Sequence, residues 1–164
     1  MTPFSSTFDC ATGNLMIHEI DCLIHWRLNK IDFFSLAKRY LLYQNKDFFD
    51  CHGFFHFEVP IKLWDNKFRL TVLFSPKPPE TPILCTGYAL SIFDYGGAEQ
   101  DESISALLAN ILSTALGASF ANEPYTDAKT WHRDWGVVSL RAIIQNGTEP
   151  QIGIGWKSDV STET

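Results

Sequence analysis

A chain of 164 residues, of which 45% are hydrophobic, 14% aromatic and 20% charged, is long enough to bury a core and too apolar to stay disordered. Its 13 basic and 19 acidic side chains leave a net charge of −6, which argues against a surface built to neutralise nucleic-acid phosphates. No run approaches the roughly 18 apolar residues of a membrane span, and the length points to one domain over 1–164.

In chain order, residues 1–13 are short and polar, with Pro3, Ser5, Ser6 and Gly13, and read as an irregular tail. Over 15–26 the spacing of Met16, Ile17, Ile20, Leu23 and Ile24 favours a helix with Asn14 as its cap. A clearer helix is predicted over 33–46, where Phe33, Leu36, Ala37, Tyr40 and Leu41 form a stripe and Asp32 caps the start. The period then changes to two. Phe55, Phe57, Val59, Ile61 and Leu63 predict a strand. Asp65-Asn66 predicts a turn, and Phe68, Leu70, Val72 and Phe74 the returning strand. The prolines of 76–82 predict a stiff extended loop. Residues 83–94 form a third strand with Tyr88, Leu90 and Ile92 on one face, ended by Gly96-Gly97.

A second helix is expected over about 101–116, with Ile104, Leu107, Leu108, Ile111, Leu112, Ala115 and Leu116 as its apolar stripe, Asp101 and Glu102 in its first turn and Gly117 as its stop. Residues 118–134 read as irregular. A closing hairpin pairs 137–145 with 151–157, followed by an irregular tail over 158–164. The expected fold class is α+β: a mainly antiparallel sheet of about five strands with helices packed on one face.

The chain offers few groups for chemistry. The four cysteines, Cys10, Cys22, Cys51 and Cys85, have no C-x-x-C spacing and read as buried small hydrophobes in a reducing compartment. On a helix, His18, Cys22 and His25 would align as metal ligands, but they lack a fourth partner. On a strand, His52 and His56 lie about 13 Å apart, too far for one ion. In Trp131-His132-Arg133-Asp134-Trp135 the neighbours point apart, so His132 and Asp134 make a poor base and orienter. Acids around Gly96-Gly97 repel a phosphate. Gly153 and Gly155 leave one face of the last strand bare, for a helix or for a partner strand. No catalytic residue, metal or cofactor is expected, and the chain is not read as an enzyme. With no base before Arg27, the N-terminus lacks a secretory signal, so a cytoplasmic protein is expected.

The charge is distributed unevenly. Residues 1–75 hold eight bases and eight acids, and residues 129–164 four of each. Residues 76–128 hold one base, Lys77, against seven acids, so this stretch carries the whole net charge. The helix dipole accounts for Asp101 and Glu102, but not for Asp94, Glu99, Glu123 and Asp127. Such a stretch steers a basic partner and rejects acidic ones. Tyr125 and Trp131 beside it add residue types common at binding hot spots. The expected partner-binding residues are Asp94, Glu99, Asp101, Glu102, Glu123, Tyr125, Asp127 and Trp131. The expected partner is a basic protein (a toxin or effector), not a nucleic acid or a membrane. Whether the chain is a monomer or a homodimer stays open.

A small, acidic α+β chain that closes on the hairpin WGVVSLRAIIQNGTEPQIGIGW (135–156) resembles bacterial toxin-immunity proteins. That resemblance implies occlusion, in which an acidic face docks on the toxin's basic active site. The expected order of helix, three strands, helix, two strands is also similar to the class I chaperones of type III secretion. The extra N-terminal helix, the many aromatics and the absence of a helix after Lys157 depart from them. Phage-encoded anti-defence inhibitors share the same profile.

Overall fold

The structure, a computed structural model, describes residues 2–40, 43–44, 55–75, 84–93, 101–118, 121–122, 128–141 and 150–157. The elements follow in the order β1 (Phe4–Phe8), β2 (Leu15–Ile17), β3 (Cys22–Ile24), α1 (Lys30–Ala37), β4 (Tyr43–Gln44), β5 (Phe55–Leu63), β6 (Asn66–Ser75) and β7 (Leu84–Ile92). Then come α2 (Asp101–Leu116), β8 (Ala121–Asn122), β9 (Ala128–Arg133), β10 (Gly136–Arg141) and β11 (Gln151–Trp156).

The expected α+β architecture of about five strands is overturned. The molecule is mostly sheet, and β1 with β4 to β11 forms one curled, mixed sheet shaped as a half-barrel. β2 and β3 extend it as a meander off β1. The strands run in the order β3-β2-β1-β5-β6-β7-β11-β10-β9-β8, with β4 paired to β5 beside that path. β1 pairs β5 in parallel, and the other ladders among the described residues are antiparallel.

Most of the extra strands have two to five residues, and β9, with six, is the exception. Residues 15–26 are a tight hairpin and not a helix. Asp21 takes a positive φ of 47° in the turn, which lets two three-residue strands pair Leu15 with Ile24 and Ile17 with Cys22. Phe4–Phe8 is a strand and not part of an irregular tail, because Ile61 and Lys62 of β5 give it a parallel partner. Likewise Ala128–Arg133 is a strand within the stretch read as irregular, since β10 pairs with it along its whole length. α1 starts and stops earlier than its stripe suggests. Asn29 is the cap, its side chain accepting from the Ile31 amide at 2.8 Å, and the helix ends at Ala37.

The period-two segments fold as read. In β5 and β6 the register sets Val59 opposite Leu70 and Ile61 opposite Phe68. The turn between them falls one residue early, on Trp64 and Asp65, both at positive φ (50° and 60°). Two such residues suit the twist of a tight hairpin. The Trp64 ring is held edge-on against Phe8 (5.6 Å) and Phe68 (6.4 Å). Across the sheet, Leu70, Leu90, Ile152 and Leu140 stand opposite one another on four successive strands, all buried. Beside them run Val72, Tyr88, Ile154, Val138 and Trp131. Phe33 and Ala37 of α1 and Ile104, Leu108 and Leu112 of α2 complete this core.

β11 lies between β7 and β10, so its bare face is not an edge awaiting a strand. Three aromatic side chains then fasten the loop after β1. Trp135 donates to the Cys10 carbonyl (3.0 Å), Trp156 to that of Thr12 (3.0 Å) and Tyr88 to that of Gly13 (2.8 Å). Gly13 sits at φ 77°, and a Cβ there would lie 2.4 Å from the Trp135 ring. Tyr88→Phe is therefore expected to cost about 1–2 kcal/mol, because the buried Gly13 carbonyl loses its donor. A urea denaturation midpoint unchanged from the parent protein would show that this fastening contributes nothing.

Candidate functional site

Of the seven acids in the acidic stretch, Asp101 and Glu102 fall among the described residues, both in α2. The core side of α2 is Ile104, Leu108 and Leu112, at the i, i+4, i+8 spacing that puts side chains on one line. Leu107, which the sequence places in the apolar stripe, instead points outward and is 41% exposed. It shares the solvent side with Glu102, Ser103, Ala106, Asn110 and Thr114. Asp101 opens the helix, and Glu102 follows it in the first turn, exposed near the positive end of the dipole. Asp94, Glu99, Glu123, Tyr125 and Asp127 lie outside the described residues.

Trp131 takes a different position from the one expected. It is fully buried, and its indole N–H donates to the Gly117 carbonyl at 2.9 Å. Next to it the Arg133 guanidinium donates to the Leu116 carbonyl. The last carbonyls of a helix have no intrahelical donor, and a cation there suits the dipole. β9 thus caps the C-terminus of α2, whose chain turns away at Gly117 (φ 93°). Trp131 joins α2 to the sheet and is unavailable to a partner.

The groups considered for chemistry are held apart. With no helix over 15–26, His18, Cys22 and His25 do not align. His18 Nε2 lies 2.7 Å from the Thr7 hydroxyl and His25 Nδ1 lies 2.9 Å from the Trp26 carbonyl, while Cys22 is buried. Among the described residues no three His, Cys, Asp or Glu side chains come close enough to share a metal ion. His52 and Cys51 fall outside those residues, as do Gly96 and Gly97.

Burial pushes the Cys22 thiol up to about 11 and the Cys85 thiol up to about 12, which leaves both protonated and inert at neutral pH. Burial also raises the Tyr88 phenol well above its usual value. The Ser5 amide, donating to Glu19 at 2.8 Å, holds that carboxyl below the ordinary range. His132 is exposed and lies 3.3 Å from the Thr130 hydroxyl, while Asp134 stands in the β9–β10 turn.

The outward side of α1 is not marked in the apolar pattern of the sequence. Ile31 is 71% exposed, and Leu36 and Tyr40, assigned above to a buried stripe, are 43% and 37% exposed. The buried line of α1 is Phe33 and Ala37, four residues apart, which leaves Ile31 and Leu36 off it, and Tyr40 lies beyond the helix end.

Comparison with models of protein families, with curated proteins and with solved structures finds no match to this chain. Among the described residues no helix is long and apolar enough to cross a membrane.

Proposed function

We propose that this chain is a cytoplasmic protein-binding inhibitor of the immunity type, which holds a basic toxin through the acidic stretch around α2 and so blocks the toxin's active site. The observation that supports this reading is the confinement of the whole net charge to residues 76–128, with Glu102 and Leu107 of that stretch facing solvent. A single-sign field speeds encounter with a basic surface, and an apolar contact inside it slows release. The sheet's part is mechanical: β9 holds the far end of α2 through Trp131 and Arg133, so the helix is presented on a rigid support.

The test starts with affinity capture of the full chain from its native cells at low and high salt, followed by mass spectrometry. A stoichiometric basic partner, released by salt, is expected. With that partner in hand, Asp94→Lys, Glu99→Lys and Glu102→Lys together are expected to slow association by about tenfold or more at low salt and to flatten its salt dependence. Binding that ignores the three reversals would move the interface off this stretch. No stoichiometric partner at either salt would remove the inhibitor reading.

A further inference from the structure

We propose that α1 is a self-association surface, on which two copies of this chain pair through antiparallel α1 helices. The argument rests on the order of groups along the exposed side of one short helix and the turn that follows it. Asp32 stands in its first turn and is exposed. Ser35 lies in the middle, its hydroxyl folded back on the Ile31 carbonyl at 2.9 Å, which leaves a low, flat centre. Lys38 and Arg39 follow at the far end, both exposed. Large apolar side chains flank this line: Ile31 on one side, Leu36 and Tyr40 on the other. The Tyr40 ring is braced edge-on against Phe4 at 4.9 Å, so it presents a fixed edge.

Lys30, half-buried, lies off this line on the other side of the helix, and the line itself, with an acid at one end, bases at the other and a small residue between them, is complementary to its own antiparallel copy. A two-fold axis near Ser35 brings Asp32 of each copy to the Lys38–Arg39 end of the other. It sets the apolar flanks of the two copies together, and it opposes the two helix dipoles. This is the isologous arrangement that closed dimers use, where each contact occurs twice. An acidic or a basic foreign surface would satisfy only one end of α1. A second copy satisfies both, and that favours it as the occupant. An eight-residue helix covers less than the roughly 800 Å² a side of a standard interface, so the pairing is weak, in the micromolar range or above. The surface is distinct from α2, and the proposal does not rest on the inhibitor reading.

Sedimentation of the full chain across a concentration series tests it. A reversible monomer–dimer equilibrium is expected. Asp32→Lys alone, and Lys38→Glu with Arg39→Glu, are each expected to weaken the dimer at least tenfold. The combination of all three reversals restores opposite charges across the axis and is expected to return the affinity to within about threefold of the parent. Circular dichroism of each variant confirms that the fold is kept. A parent chain that stays monomeric up to about 0.5 mM overturns the proposal. So does a dimer that ignores the single-sign reversals, or one that the combined variant fails to rescue while remaining folded.

Discussion

Trp131→Ala is expected to lower the unfolding free energy by about 3–5 kcal/mol, the range for removing a large aromatic from a packed core. The side chain is fully buried, opposite Val138 of β10. The change also strips the Gly117 carbonyl of its donor at the end of α2, so the helix and the sheet lose a shared anchor. Trp131→Phe keeps much of the volume but not the N–H group, and its cost is expected to fall between the parent and the alanine variant. Urea denaturation of the three proteins measures both terms. A loss below about 1 kcal/mol in Trp131→Ala would mean that α2 is not anchored through β9.

Gly136→Ala is expected to be as damaging, through overcrowding. A Cβ at this position would lie 2.1 Å from the Gly155 carbonyl oxygen and 2.9 Å from the Trp156 Cα. Both are backbone atoms of the paired strand, so no side chain can swing aside. The β10–β11 ladder must shift where Gly136 faces Trp156. The expected loss is about 3 kcal/mol, the upper part of the range for overpacking. Gly155→Ala is the matched control, because its Cβ would meet nothing within 4 Å. Its stability is expected to stay within about 1 kcal/mol of the parent. Thermal unfolding of the pair decides the matter: equal effects would show that crowding at Gly136 is relieved by the sheet.

Legibility in the sequence followed the clarity of the apolar pattern, since β9 is as long as β10 and β11 yet only the latter pair was legible. The extent of α2 was readable, because sixteen positions with acids at the start and a glycine after the end agree on one answer. The long hairpin of β5 and β6 was readable from strict alternation. β2 and β3 were not, since Leu15–Ile24 places apolar residues at spacings that suit both a helix and two short strands. Only tertiary pairing with β1 selects the strands. β9 was hidden by the polar residues that flank it, and with it the capping role of Trp131. Of the expected binding residues, α2 bears Asp101 and Glu102, Trp131 is in the core, and the other five fall outside the described residues. Charge by position in the chain is visible in any sequence. Which side of a helix meets water is set by packing partners far away in the chain, and Leu107, Leu36 and Tyr40 were misread for that reason.

The central place of β11 has a consequence for synthesis. Of all the strands described, it leaves the ribosome last, yet it is the one that joins β7 to β10. Until Gln151–Trp156 emerges, the hairpins made earlier and the later β9–β10 pair are separate pieces. Each has an unpaired edge with free amide and carbonyl groups. Such edges invite pairing with other nascent chains, and sheets closed by distant segments form slowly. Release of the full chain with β11 kept from docking would therefore raise aggregation more than the same delay imposed after β11 has joined β7 to β10.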